Sequence, residues 1–288
     1  VETWEVWKPM AKLGAAFMFG GLATVATLLL VRGLISKELG LDAAGYFAAA
    51  WGISMTYVGF LLSAMGADYY PRLTEVIHDK VAAVQLMNHQ AQLGLAIGGP
   101  VLLLLIGLAP WVITLLYSSA FEPAVTLLQW QMVGNVFKLA SWAMSFSIVA
   151  AALGKTFFLM ELSFNIVFLG MVFIFLPQVR LDVTAYAFVL GYLAYLIIVY
   201  VLARSIHGFS WQVLSLGLLG LHTSLGVALL VLAHMAPFAA AIASPLLAAA
   251  TGLFGLRIVL SKVGKHGRLP TRLYGIFESL GWPIQSAV

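Results

Sequence analysis

A lysine in the middle of a long apolar stretch is the residue of this chain best placed to do chemistry. Lys138 is the only charged residue in 123–152, and a rise of about 1.5 Å per residue puts it near the centre of a bilayer. A charge at that depth costs about 2.5–3.5 kcal/mol on insertion scales and marks a functional position by default. Gln131, Asn135, Ser141, Trp142 and Ser145 lie at steps of three and four around it, so all share one helix face with Lys138. Such a polar stripe reads as the wall of a water-filled cavity, where an ammonium attracts anions and the amides and hydroxyls offer hydrogen bonds. A lysine paired inside the bundle for structure alone is the competing reading.

Glu161 and Asn165, four apart on the next apolar stretch, make a second polar face. Helical rise places Glu161 about four turns nearer the cytoplasm than Lys138, so direct pairing is not expected. Glu161 is read as a coupling or gating group, with a carboxylate snorkelling to the interface as the alternative. Arg32 ends the first stretch on the side where basic residues are disfavoured, which points it toward a cavity and against a simple interfacial role. Trp51, Ser54 and Tyr57 add weaker polarity that is more often mere helix packing. There is no HExxH, CxxC, GxSxG or P-loop, and no cysteine at all. The expectation is a protein that is not an enzyme, with no catalytic residues, no cofactor and no metal site.

The elements that must hold these residues are membrane helices. The chain has 288 residues, 62% hydrophobic and 9% charged, against about 25% charged in a soluble domain. Long unbroken apolar runs exclude the alternating ten-residue strands of a barrel. Charge-free intervals locate the spans: 19 residues between Lys12 and Arg32, 25 between Asp42 and Asp68, and 52 between Arg204 and Arg257, enough for two. With 93–117, 123–152, 156–176 and 183–203 the total is eight transmembrane helices in an all-α polytopic membrane protein. If both termini are cytoplasmic, the inner segments hold eleven of the 15 Lys+Arg, the outer loops hold Lys37 and Arg180, and Arg32 and Lys138 lie in spans. That asymmetry is what topogenesis demands. The net charge of +4 is therefore topogenic, and no nucleic-acid partner is expected. Between the spans, 68–90 has apolar residues at helical spacing, which predicts a surface helix at about 71–85 with Pro71 in its first turn. The opening WEVWKP reads as an interfacial anchor, and a chain starting at Val1 reads as cut from something longer.

The stretches LVRGLISKELGLDAAGYFAAAWGIS (30–54) and YYPRLTEV (69–76), with LLYSSAFEPA (115–124) and ALGK (152–155), resemble the second half of Wzx-type O-antigen flippases. These belong to the multidrug/oligosaccharidyl-lipid/polysaccharide exporter superfamily. The resemblance implies that 1–204 is a six-helix bundle, that 205–260 adds two further helices and that 261–288 is a basic cytoplasmic tail. It implies alternating-access transfer of an undecaprenyl-diphosphate-linked glycan across the bacterial inner membrane. The cavity expected for that substrate opens between this bundle and a first one. Lys138, Arg32, Gln131, Asn135, Trp142 and Ser145 are then the substrate-binding residues, and Glu161 and Arg72 serve coupling or gating. The expected partners are that glycan lipid, the bilayer and the polysaccharide polymerase machinery. Alternatives that the residues leave open are a lipid II flippase, a multidrug and toxin extruder and, from another class, a membrane-embedded polysaccharide polymerase or ligase.

Overall fold

The computed structural model describes residues 2–263, 268–279 and 281–284, and these are helical almost throughout. Eight long helices follow one another: α1 (Glu2–Leu39), α2 (Leu41–Val76), α3 (Lys80–Leu116), α4 (Ala124–Ala150), α5 (Gly154–Val179), α6 (Val183–His207), α7 (Val213–Met235) and α8 (Pro237–Val263). A short α9 (Arg268–Ser279) follows, and no strand occurs among the described residues. Six of the eight each contain an apolar stretch long enough to cross a membrane, and α5 and α6 together form a seventh, nearly continuous run over 154–207. That run reverses at the 3-10 turn Arg180–Asp182, where Arg180 adopts the left-handed φ of 58°. The chain is an all-helical polytopic membrane protein.

α4 is the hub. Of its span 78% is buried inside the protein, against 22–44% for the others. It packs on α2, α3, α6 and α7, while α1 packs on α2 and α5, and α5 on α6. The helices α1, α2, α4, α6 and α5 therefore close a ring, with α3 behind α2 and α4, and with α7 and α8 behind α3. Small residues permit the closest approaches in that back layer: a side chain on Gly255 would run into the Ala96 carbonyl, and one on Gly107 into Ser244. Polar residues lock it. Asn88 of α3 donates to the Ser210 carbonyl at 2.9 Å and accepts from the Gln212 amide and the Ser215 hydroxyl, both at 2.8 Å. Gln92 adds bonds of 2.9 Å to Gln212 and Ser215. Buried amides are retained when their bonds are made within the protein. Asn88 and Gln92 thus clamp the 208–212 link instead of facing water at a membrane surface. Gly208, at φ 71°, ends α6 there in the conformation that a residue without Cβ adopts freely.

The surface helix expected at about 71–85 does not exist as a separate element. α2 continues through Pro71 to Val76, because Tyr69 and Leu73 prolong the buried face of Val58 and Leu62. The break comes at 77–79, where the Asp79 carboxylate caps α3 by accepting from the amides of Val81 (3.0 Å) and Ala82 (3.1 Å). α2 and α3 therefore form one long hairpin. Its tip carries exposed His78, and the turn between α5 and α6 carries exposed Asp182. Since the native chain has no cysteine, His78→Cys and Asp182→Cys are clean reporters. In intact cells an impermeant maleimide should modify the second and spare the first. Modification of both from outside would refute the alternation of sides.

Candidate functional site

The ring of α1, α2, α4, α5 and α6 encloses a cavity of about 410 Å³, within the range of small-molecule sites. It lies inside this bundle, not between it and another as the sequence had led us to expect. α1 lines one side of it with Phe17, Gly20, Gly21 and Thr24. α4 contributes Lys138, Ser141, Trp142, Ser145 and Phe146; α5 contributes Phe157, Glu161, Phe164 and Asn165; α6 contributes Tyr192 and Tyr195; and α2 contributes Trp51 and Met55. Glu161 leans against α1 at Gly20, where an added Cβ would meet its Cβ at 3.7 Å and its Cγ at 3.8 Å, an ordinary contact.

Lys138 points into this space. Its ammonium lies 3.3 Å from Met55 Sδ and 5.2 Å from the centroid of the Tyr192 ring, a cation–π arrangement worth about 0.5–2 kcal/mol as desolvation increases. Glu161 faces the same space. It accepts a 2.6 Å hydrogen bond from the Tyr195 hydroxyl, while Asn165 donates to the Glu161 carbonyl (3.0 Å) and to Thr24 Oγ1 (3.2 Å). Among the described residues the ion pairs within 4 Å are Lys37–Glu38 and Arg72–Asp68, both at helix ends. So Lys138 and Glu161 share one chamber without a direct bridge, and the separation of about four turns read from helical rise is corrected. Counted from the α4–α5 turn, Glu161 is seven residues into α5 and Lys138 twelve residues from the end of α4, so their offset is about one and a half turns.

The remaining predicted residues divide. Trp142 and Ser145 line the cavity with Lys138. Gln131 and Asn135 lie on the same α4 stripe but are fully buried beyond it. Asn135 donates to Ser54 Oγ at 2.8 Å, and neither amide atom of Gln131 has a partner. They are shut off by an aromatic cluster: Trp51 packs on Phe47, Phe168 and Phe188 at centroid distances of 5.5–5.6 Å, and Phe164 stacks on Phe168 at 5.5 Å. Phe188 presses on Gly134 between the two amides. Arg32 is exposed on α1 and does not reach the cavity. Arg72 is exposed at the end of α2, bonded to Asp68 at 3.0 Å. What the YYPRL segment contributes inside the bundle is Tyr69, whose hydroxyl donates to the Ala143 carbonyl at 2.7 Å and ties α2 to α4. Tyr192, Tyr195 and Thr24 are the polar wall residues that sequence reasoning missed. The two tyrosines, three apart in an otherwise apolar helix, were the available signal. No group of three or more metal-binding side chains occurs among the described residues.

An unpartnered buried amide costs about 1–3 kcal/mol. Gln131→Met keeps the volume and removes the amide, so it should stabilise the protein by about 1 kcal/mol. Thermal unfolding in detergent measures this, and a clear loss of stability would show that the Gln131 amide is bonded in the folded state.

Residues 2–126 match a family model described as polysaccharide biosynthesis protein. No curated protein and no solved structure matches the chain. The matched stretch carries α1, α2 and α3, hence the α1 and α2 walls of the cavity, and stops before Lys138 and Glu161. It supports the relation at the level of that family and, with it, a role in polysaccharide assembly or export.

Proposed function

We propose that this chain is the cavity-bearing bundle of a Wzx-type flippase, which moves an undecaprenyl-diphosphate-linked oligosaccharide across the bacterial inner membrane by alternating access. The observation that carries the reading is Lys138, a cation at mid-membrane lining a cavity with hydroxyls on the next turn and no carboxylate bridged to it. A diphosphate head group cannot pass through hydrocarbon as an ion unless fixed positive charge and water replace its hydration. Lys138 supplies the charge; Ser141, Ser145 and the Trp142 face supply hydrogen bonds and a stacking surface for sugar. Glu161, held by Tyr195, couples the cycle by changing its protonation. Gln131 and Asn135 belong to the outer half of the same path, closed in this conformation by the Trp51–Phe168–Phe188 cluster. The chain works as a transporter and not as an enzyme, with both termini in the cytoplasm, and hands its cargo to the polysaccharide polymerase machinery outside.

A second reading, a multidrug and toxin extruder, is favoured by one observation. Glu161 sits in a chamber walled by Trp51, Trp142, Phe157, Phe164 and Tyr195, and a carboxylate among aromatic faces suits an organic cation.

The two readings diverge on Lys138. At an effective dielectric near 20, a unit charge pair about 4 Å apart is worth roughly 4 kcal/mol. Within the full gene product, Lys138→Ala should abolish complementation of a flippase-deficient strain, Lys138→Arg should retain part of it, and Lys138→Glu should be worse than alanine. An alanine variant that inserts normally and exports glycan at the wild-type rate would remove the basis of the flippase reading. Loss of drug resistance on Glu161→Gln, with Lys138→Ala silent, would establish the extruder instead.

A further inference from the structure

The C-terminal end of the described chain is built as a membrane-surface device, and nothing in the transport reading uses it. Leu269, Leu273, Tyr274 and Phe277 of α9 recur at helical spacing. Tyr274 and Phe277 are buried in a small cluster with Leu260 and Ile284, flanked by Leu256 and Leu273. The Tyr274 hydroxyl donates to the Leu260 carbonyl at 2.8 Å. α9 is therefore folded back onto the last two turns of α8, where an apolar span meets the head groups. Arg257 fastens the following segment to the same place, donating to the Pro283 carbonyl at 2.9 Å with its guanidinium 4.8 Å from the Trp282 ring centroid. What faces outward is mixed in the manner of an interface: Ile276 is 52% and Trp282 38% exposed, and Arg272 is exposed beside them. Arg257, Lys262, Lys265, Arg268 and Arg272 are five of the chain's 15 Lys+Arg, while Glu278 is its sole acidic residue after Asp182.

We propose that α9 and residues 281–284 form a lipid-binding clasp, which lies in the head-group layer at the α8 end and binds anionic phospholipid through Arg272. The proposal is independent of what the cavity carries. Position decides the occupant: the clasp is pinned beside a membrane-spanning helix, so its exposed apolar residues meet lipid before any soluble partner. Basic residues at that level gain from the negative surface potential of anionic lipids, and an exposed tryptophan suits the same boundary.

The absence of native cysteine again gives a direct test. The full chain carrying Ile276→Cys, labelled with an environment-sensitive fluorophore, is reconstituted into vesicles of phosphatidylcholine alone or with phosphatidylglycerol added. Both leaflets then have one composition, so the direction of insertion does not matter. The clasp predicts a blue-shifted label and about a twofold fall in quenching by aqueous iodide when phosphatidylglycerol is present. Arg272→Gln should abolish that difference. A label equally exposed to water in both vesicles, or a shift that survives the substitution, would overturn the proposal.

Discussion

A charged side chain in the hydrocarbon layer has to be given somewhere to be, and the placement of Lys138 on α4 is the constraint around which this bundle is organised. The ammonium cannot be left against lipid, and no carboxylate is bridged to it. The solution is a chamber: α4 is buried as the hub, and five helices close round the face that carries Lys138. Met55 and the Tyr192 ring touch the cation softly. Such contacts hold the side chain without neutralising it, which leaves its charge free for a ligand. Glu161 is treated differently. Its carboxylate has a specific donor in Tyr195 and neighbours that fix its helix turn, so it is positioned more firmly than the lysine and suited to a change of protonation.

The chamber ends where the aromatic residues begin. Lys138, Ser141, Trp142 and Ser145 are open to it, while Asn135 and Gln131, one and two turns farther along the same stripe, are covered by Trp51, Phe168 and Phe188 from three other helices. In the flippase reading proposed above, a polar stripe half open and half sealed corresponds to one conformation of an alternating-access path. The unpartnered amide of Gln131 is the cost carried by the sealed half.

How much of this was legible in the sequence follows from whether the information was local. The spans were legible, because apolar length alone specifies them, and so was the α4 stripe, because spacing within one helix fixes a face. Arg32 lies off the cavity for an axial reason: it stands eight residues, about 12 Å, beyond Thr24 along α1. The surface helix was misplaced for a tertiary one: periodicity over 68–90 was real, but the Asp79 cap and the burial of Tyr69 and Leu73 divided it between α2 and α3. Asn88 and Gln92 hold α7 in place through bonds between elements, which spacing along α3 alone does not reveal. The pairing of Glu161 with Tyr195 joins two helices and had no signature in either alone.

The central claim is that Lys138 holds a polyprenyl diphosphate in this chamber. Native mass spectrometry of the full gene product with undecaprenyl diphosphate measures that directly, apart from any energetics of transport. The account predicts one retained lipid per bundle, with affinity falling at least about tenfold in Lys138→Gln and little changed in Arg32→Gln, whose side chain does not reach the cavity. Equal retention by the wild type and Lys138→Gln would contradict it.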